Sequence, residues 1–171
     1  MSAETPVVAI LMGSDSDLPT MEETRTILRE FGVAHDVHIA SAHRTPARVM
    51  EFAAAAEARG LRVLIAAAGG AAHLAGAIAA HTVLPVIGVP MDGGSLQGMD
   101  ALLSTVQMPA GIPVACVAIG KAGARNAALL AVEILALADG RLRTALHAYR
   151  QRLAAQVTEK DRALQSPHAP A

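Results

Sequence analysis

An α/β domain built on a parallel sheet is predicted by three features of this 171-residue chain. Short apolar runs alternate with helical patterns five times, as βαβ units require. The run at 7–12 is continuous rather than alternating, as in a strand covered on both faces. Gly, Pro and hydroxyl residues punctuate the ends of the runs.

Each element follows in order. Residues 7–12 form a strand ended by Gly13, and Pro19 falls in the first turn of the next helix, where its missing N–H does no harm. Met21, Ile27, Leu28 and Phe31 recur near helical spacing, and Gly32 supplies a stop. The strand at 33–40 contains His35, Asp36 and His38, so it belongs near a sheet edge. Thr45 is a natural N-cap and Pro46 a natural first helical residue, for a helix running to Gly60. Strands at 61–68, 83–89 and 113–119 alternate with helices at 72–80, 99–106 and 122–138. Five such strands predict a flavodoxin-like, three-layer αβα fold with sheet order 2-1-3-4-5.

Beyond Gly140, the residues Leu142, Leu146, Tyr149, Leu153 and Val157 make one apolar stripe on a long, charged helix. The stripe packs either on its own domain or on a neighbouring subunit, and the spacing leaves both open. The domain plan is a tail at 1–6, a flavodoxin-like domain at 7–139, the helix at 140–164 and a disordered tail at 165–171.

Composition narrows the function. The chain is 53% apolar but only 2% aromatic, so Ala, Val, Leu, Ile and Met must fill the core. Ala-rich helices approach closely and leave apolar surface that invites subunit contacts. A net charge of −1 without long basic or acidic runs argues against nucleic acid and against a polybasic membrane patch. Cys116 is the only cysteine, which excludes an intrachain disulfide and a thiolate metal cluster. The start, Met-Ser-Ala-Glu-Thr-Pro, lacks the basic and apolar parts of a signal peptide, so a cytoplasmic protein is expected. Residues 63–80 lack Asp, Glu, Lys and Arg, yet Gly69-Gly70 and His73 oppose a membrane-spanning helix. A strand, a Gly-rich turn and a helix explain that segment better.

In open parallel sheets ligands bind beyond the carboxyl ends of the strands, where strand order reverses. Three strand-end loops there are unusual. Gly13-Ser14-Asp15-Ser16-Asp17 ends a strand and opens a helix, which favours an anion and adds two hydroxyl donors. It is neither a dinucleotide fingerprint nor a P-loop. Ser16 or Asp17 can alternatively serve only as a helix cap. Asp15 should point away from a phosphate, whereas Asp17 can accept from neutral sugar hydroxyls. In Ser41-Ala42-His43-Arg44-Thr45-Pro46, the planar fork of Arg44 suits phosphate oxygens. His43 beside it is an imidazole, a group able to donate and accept a proton near neutral pH. In Gly69-Gly70-Ala71-Ala72-His73-Leu74, the glycines permit close backbone approach to a ligand. His35 and His38 form a pair with no evident third metal ligand, and Cys116 reads as an inert buried residue.

Five motifs in order now resemble one family. They are Met12-Gly13-Ser14-Asp15-Ser16-Asp17, Ser41-Ala42-His43-Arg44-Thr45-Pro46 and Gly69-Gly70-Ala71-Ala72-His73-Leu74. Val106-Gln107-Met108-Pro109 with Gly111-Ile112-Pro113, and Ala118-Ile119-Gly120-Lys121-Ala122-Gly123 with Asn126, complete the set. Together they resemble class I N5-carboxyaminoimidazole ribonucleotide mutase of purine biosynthesis, over about residues 7–150.

The resemblance implies an isomerase that moves a carboxyl group from the exocyclic amine of a ribonucleotide to the neighbouring ring carbon. It implies decarboxylation and recarboxylation in a closed pocket, with no metal, ATP or organic cofactor. His43 matches the family's acid/base residue. By similarity Ser14, Ser16 and Arg44 hold the phosphate, Asp17 the ribose, and the segments of Ser41, Ala42, Gly70, Ala71 and Leu74 the base. His73 is a pocket residue. The family forms octamers in which the C-terminal helix crosses to a neighbour, which implies the same partner here. The chain departs from the family at Leu18, Ala75 and Gly93, where Trp, Pro and Ser are usual, so no site residue is assigned in the loop at 91–98. A CO2-dependent carboxylase is the near alternative, and the loop at 69–74 favours the mutase class. A non-catalytic nucleotide-binding module is the remaining one. A phosphorelay receiver would need an Asp after the third strand, where this chain has Ala68-Gly69-Gly70.

Overall fold

The computed structural model describes residues 5–165. Five parallel strands lie in the order β2-β1-β3-β4-β5. They are β1 Val8–Met12, β2 His35–Ile39, β3 Val63–Ala68, β4 Val86–Pro90 and β5 Ala115–Cys116. The connecting helices are α1 Leu18–Glu30, α2 Pro46–Ala55, α3 Leu74–Ala79, α4 Met99–Val106 and α5 Gly120–Ala136, and α6 Gly140–Gln165 follows. The flavodoxin-like order read from the sequence is the observed one.

Strand alternation divides the core into two layers. Val8, Ile10, Val63, Ile65 and Ile87 face α1 and α5, whereas Ala9, Leu11, Leu64, Ala66 and Val86 face α2 and α3. Each buried Val, Leu or Ile contributes roughly 1.5–3 kcal/mol. With few aromatics, close approach replaces bulk. A Cβ on Gly88 would lie 2.3 Å from Thr105 Cγ2, so α4 sits directly on β4. Thr24, fully buried on α1, donates to the Ala124 carbonyl of α5 at 2.7 Å.

Several boundaries shift for local reasons. β2 is partly exposed along its length, in keeping with its place at the sheet edge. β4 begins three residues later than expected, and Val83 is 88% exposed in the turn before it. β5, expected over 113–119, pairs only through Ala115 and Cys116, because Pro113 carries no N–H for the ladder. Cys116 is therefore half-buried at an edge rather than enclosed, and burial still raises its thiol pKa. α2 stops at Ala55, and Gly60 with φ +85° closes the following turn.

The stripe on α6 divides in two. Leu142 and Tyr149 are buried and Leu146 is partly buried against the α1/α5 layer, while Leu153 and Val157 are 44% and 69% exposed. The helix closes at Gln165; residues 166–171 of the expected tail, and 1–4 of the N-terminal one, lie outside the described residues. Among the described residues no helix is long and apolar enough to cross a membrane.

Candidate active site

The ends of β1 and β3, the strands flanking the order reversal, open into a cavity of about 600 Å³. All three loops singled out in the sequence line it. Ser14, Ser16 and Asp17 come from the first; Ser41, Ala42, His43 and Arg44 from the second; Gly70, Ala71, His73 and Leu74 from the third.

The first loop is a single 3-10 turn at Asp15–Asp17, continuous with α1. Ser14 caps it, its Oγ accepting from the Ser16 N–H at 3.3 Å, while the Ser16 hydroxyl lies 2.9 Å from Ser14 Oγ. Asp17 makes no capping bond, so its carboxyl is left for the cavity. Capping falls to Ser14 rather than to Ser16 or Asp17. Burial raises the Asp17 carboxyl above its usual pKa, opposed by hydrogen bonds with the Ser14 backbone and the Ser16 side chain. Asp15 adds to the rise and Arg44 works against it. Asp15 itself does not line the cavity; it accepts from the Ser14 hydroxyl at 3.1 Å.

The second loop is closed by Thr45. That residue sits at the N-cap position of α2 but makes no side-chain cap bond. Its Oγ1 instead accepts from the Ser41 N–H at 2.9 Å and donates to the Ser41 carbonyl at 3.0 Å. The tight turn fixes the three residues between, Ala42, His43 and Arg44. Arg44 donates from Nη2 to the Gly13 carbonyl at 2.7 Å and from Nε to Ser41 Oγ at 3.4 Å. One guanidinium thus ties the second loop to the first and keeps donors in reserve.

The third loop brings a second imidazole to the first. His43 Nε2 lies 2.8 Å from His73 Nδ1, with the rings edge to face at 82°. Gly70 holds φ +60°, as a turn of this tightness requires. Ser104 of α4 donates toward the Gly70 carbonyl at 3.4 Å from behind.

A fourth wall went unassigned in the sequence. Met91, Asp92, Gly93, Gly94 and Asp100 line the cavity from the segment after β4. The position of that segment, next to β3 in the sheet, was the available signal, since strand order 2-1-3-4-5 puts the β4 end beside the switch point. Elsewhere, His35 Nδ1 faces the Val33 carbonyl and His38 pairs with Asp36. Among the described residues no three His, Cys, Asp or Glu side chains gather to hold a metal ion.

Chemically, the cavity brings together hydroxyl and guanidinium donors for an anion and an imidazole pair. The family model described as AIR carboxylase matches residues 7–156. An N5-carboxyaminoimidazole ribonucleotide mutase of Pyrococcus horikoshii is 54% identical over 165 residues, covering 96% of this chain and 92% of that protein. One of Synechocystis is also 54% identical over 165 residues, covering 96% and 93%. The crystal structure of Treponema denticola PurE superposes with a TM-score of 0.85 at 32% identity, covering 94% of this chain and 99% of that one. A family match along most of the chain, on relatives more than half identical from end to end, makes this protein a member of the AIR carboxylase family.

Proposed function

We propose that the protein is an N5-carboxyaminoimidazole ribonucleotide mutase, converting that carbamate to 4-carboxy-5-aminoimidazole ribonucleotide. The observation that carries the reading is the gathering of anion donors and the His43 imidazole in one cavity, in a chain so close to named mutases.

In this reading Ser14, Ser16 and Arg44 take the phosphate, exchanging internal partners for its oxygens. Asp17 accepts from the ribose hydroxyls. The backbone of Ser41, Ala42 and His43, and of Gly70, Ala71 and Leu74, flanks the base, with His73 beside it. Phosphate binding lies remote from the reacting carbon, so its energy positions the ring.

His43 begins protonated. The carbamate C–N bond breaks, CO2 departs, and His43 gives its proton to the exocyclic nitrogen. The ring carbon of the freed enamine attacks CO2, forming a C–C bond and leaving a surplus hydrogen on that carbon. Neutral His43 removes this proton and returns to its starting state. One imidazole serves both transfers, and acid–base help of this kind is worth roughly 10²–10⁴-fold.

The exposed distal stripe of α6, Leu153 and Val157, supports packing on a neighbouring subunit of a homo-octamer. A cytoplasmic location fits a substrate drawn from nucleotide metabolism. The test mixes purified protein with 4-carboxy-5-aminoimidazole ribonucleotide and follows isomerisation without added ATP, metal or bicarbonate. Turnover supports the mutase; activity only from the free aminoimidazole and CO2 would favour the carboxylase class instead.

A further inference from the structure

The walls of the cavity are not equally held. The first three loops are tied together through Arg44 on Gly13 and His43 on His73, and Thr45 closes the second on Ser41. The fourth, after β4, is tied only at its ends. Met91 donates its N–H to the Ala68 carbonyl at 3.0 Å, and Gly98 accepts from the Leu102 N–H at 2.8 Å. The two ends meet: a Cβ on Gly98 would lie 2.7 Å from the Met91 carbonyl oxygen and 2.7 Å from Ile119 Cγ2. Asp92 extends the anchor, its carboxyl filling the space a side chain at Gly120 would need.

Between these anchors no hydrogen bond among the described residues ties the segment to another part of the fold. Residues 93–97 are exposed, and their hydrogen bonds are short-range turns, Gln97 to Gly94 and Met99 to Leu96. A side chain at Gly93 or Gly94 would meet nothing within 4 Å. Gln97 adopts φ +50°, in the left-handed region that a non-glycine residue seldom enters. Closed ends, a free body and a place on the rim of a ligand cavity make an Ω-loop. Leu96, 62% exposed, stands two residues from Gly98, within a swing of about 7 Å.

We infer that residues 93–97 are a lid that closes over the occupied cavity and retains the CO2 released during catalysis. The inference rests on the mutase reading, because only a reaction that frees and recaptures a small neutral molecule needs such retention. Gly93 and Gly94 supply the bend, and Leu96 brings an apolar side chain over a mouth that is otherwise open to water. The anchors at Met91 and Gly98 keep the base of the loop still while its tip moves.

The test uses the full chain in two variants, one lacking residues 93–95 and one carrying Leu96→Asn. The substrate is freshly prepared carbamate labelled with ¹³C at the carboxyl, mixed in an unlabelled CO2 pool. The label kept in the C-carboxylated product is then measured, together with free aminoimidazole ribonucleotide. The wild type keeps its label; both variants lose much of it and leak about tenfold more of the free aminoimidazole. Turnover in which Leu96→Asn and the shortened loop keep the label as fully as the wild type would overturn the lid alone. No turnover by the wild type would overturn the mutase reading, and the lid with it.

Discussion

His43 Nε2 stands 2.8 Å from His73 Nδ1, two imidazole nitrogens in hydrogen-bond contact across thirty residues of sequence. In the proposed mechanism this contact orients the His43 ring toward the substrate. His73 is thus expected to act by positioning. His73→Leu should lower kcat/KM by about 10²-fold, most of it in kcat, as misplacement of a reacting group does. His73→Asn, which keeps a polar partner for His43, should recover part of the loss. Steady-state kinetics of the two variants check this, and an unchanged kcat in His73→Leu would refute it.

Arg44 holds the Gly13 carbonyl with one amine while presenting others to the cavity. A lysine has no fork and cannot do both. Arg44→Lys should raise KM by about 10–100-fold, the equivalent of roughly 1.5–3 kcal/mol for a hydrogen bond to a charged group. The dephosphorylated nucleoside should be used equally poorly by both enzymes. A nucleoside that discriminated between them as strongly as the nucleotide would place Arg44 elsewhere.

Burial raises the Asp17 pKa, so the folded protein binds that proton more tightly than the unfolded chain does. The contribution to stability is complete below the ordinary carboxylate value of about 4 and is lost as pH rises through the raised value. At neutral pH, ionised Asp17 therefore weighs against folding. Asp17→Asn should melt at a higher temperature than the wild type at pH 7, with the gap closing as pH falls toward 3. The same change should raise KM, because the proposed ribose contact exchanges one acceptor oxygen for a donor NH2. Calorimetry across pH checks the first effect, and a variant less stable at pH 7 would contradict it.

The distal face of α6 offers a separate test. Leu153→Glu with Val157→Glu alters residues that lie outside the buried core and are 44% and 69% exposed. The double variant should keep its helical content and elute as a smaller species than the wild type in sedimentation or size-exclusion experiments. An unchanged assembly would remove α6 from the subunit contacts.

The sequence carried the sheet order and the three loops because glycine, proline and hydroxyl residues mark strand ends by backbone chemistry. Gly13, Thr45-Pro46 and Gly69-Gly70 are such marks, and all eleven assigned site residues border one cavity. Pairings across long separations were not legible. Nothing local links His43 to His73, Arg44 to Gly13, or Asp92 to Gly120. Thr45 illustrates the limit: the residue type was right for a cap, yet its hydroxyl closes the loop to Ser41 instead. The short β5 and the exposure of Cys116 likewise depend on tertiary pairing at a sheet edge, which an apolar run cannot reveal.

The proposed mechanism rests on one imidazole, His43, carrying both proton transfers. Isomerisation of 4-carboxy-5-aminoimidazole ribonucleotide by the wild type and by His43→Asn, at equal and saturating substrate, tests it most directly. Turnover by the wild type is expected, with a loss of roughly 10²–10⁴-fold or more in the variant and binding of the nucleotide retained. A variant that turns over at the wild-type rate would contradict it.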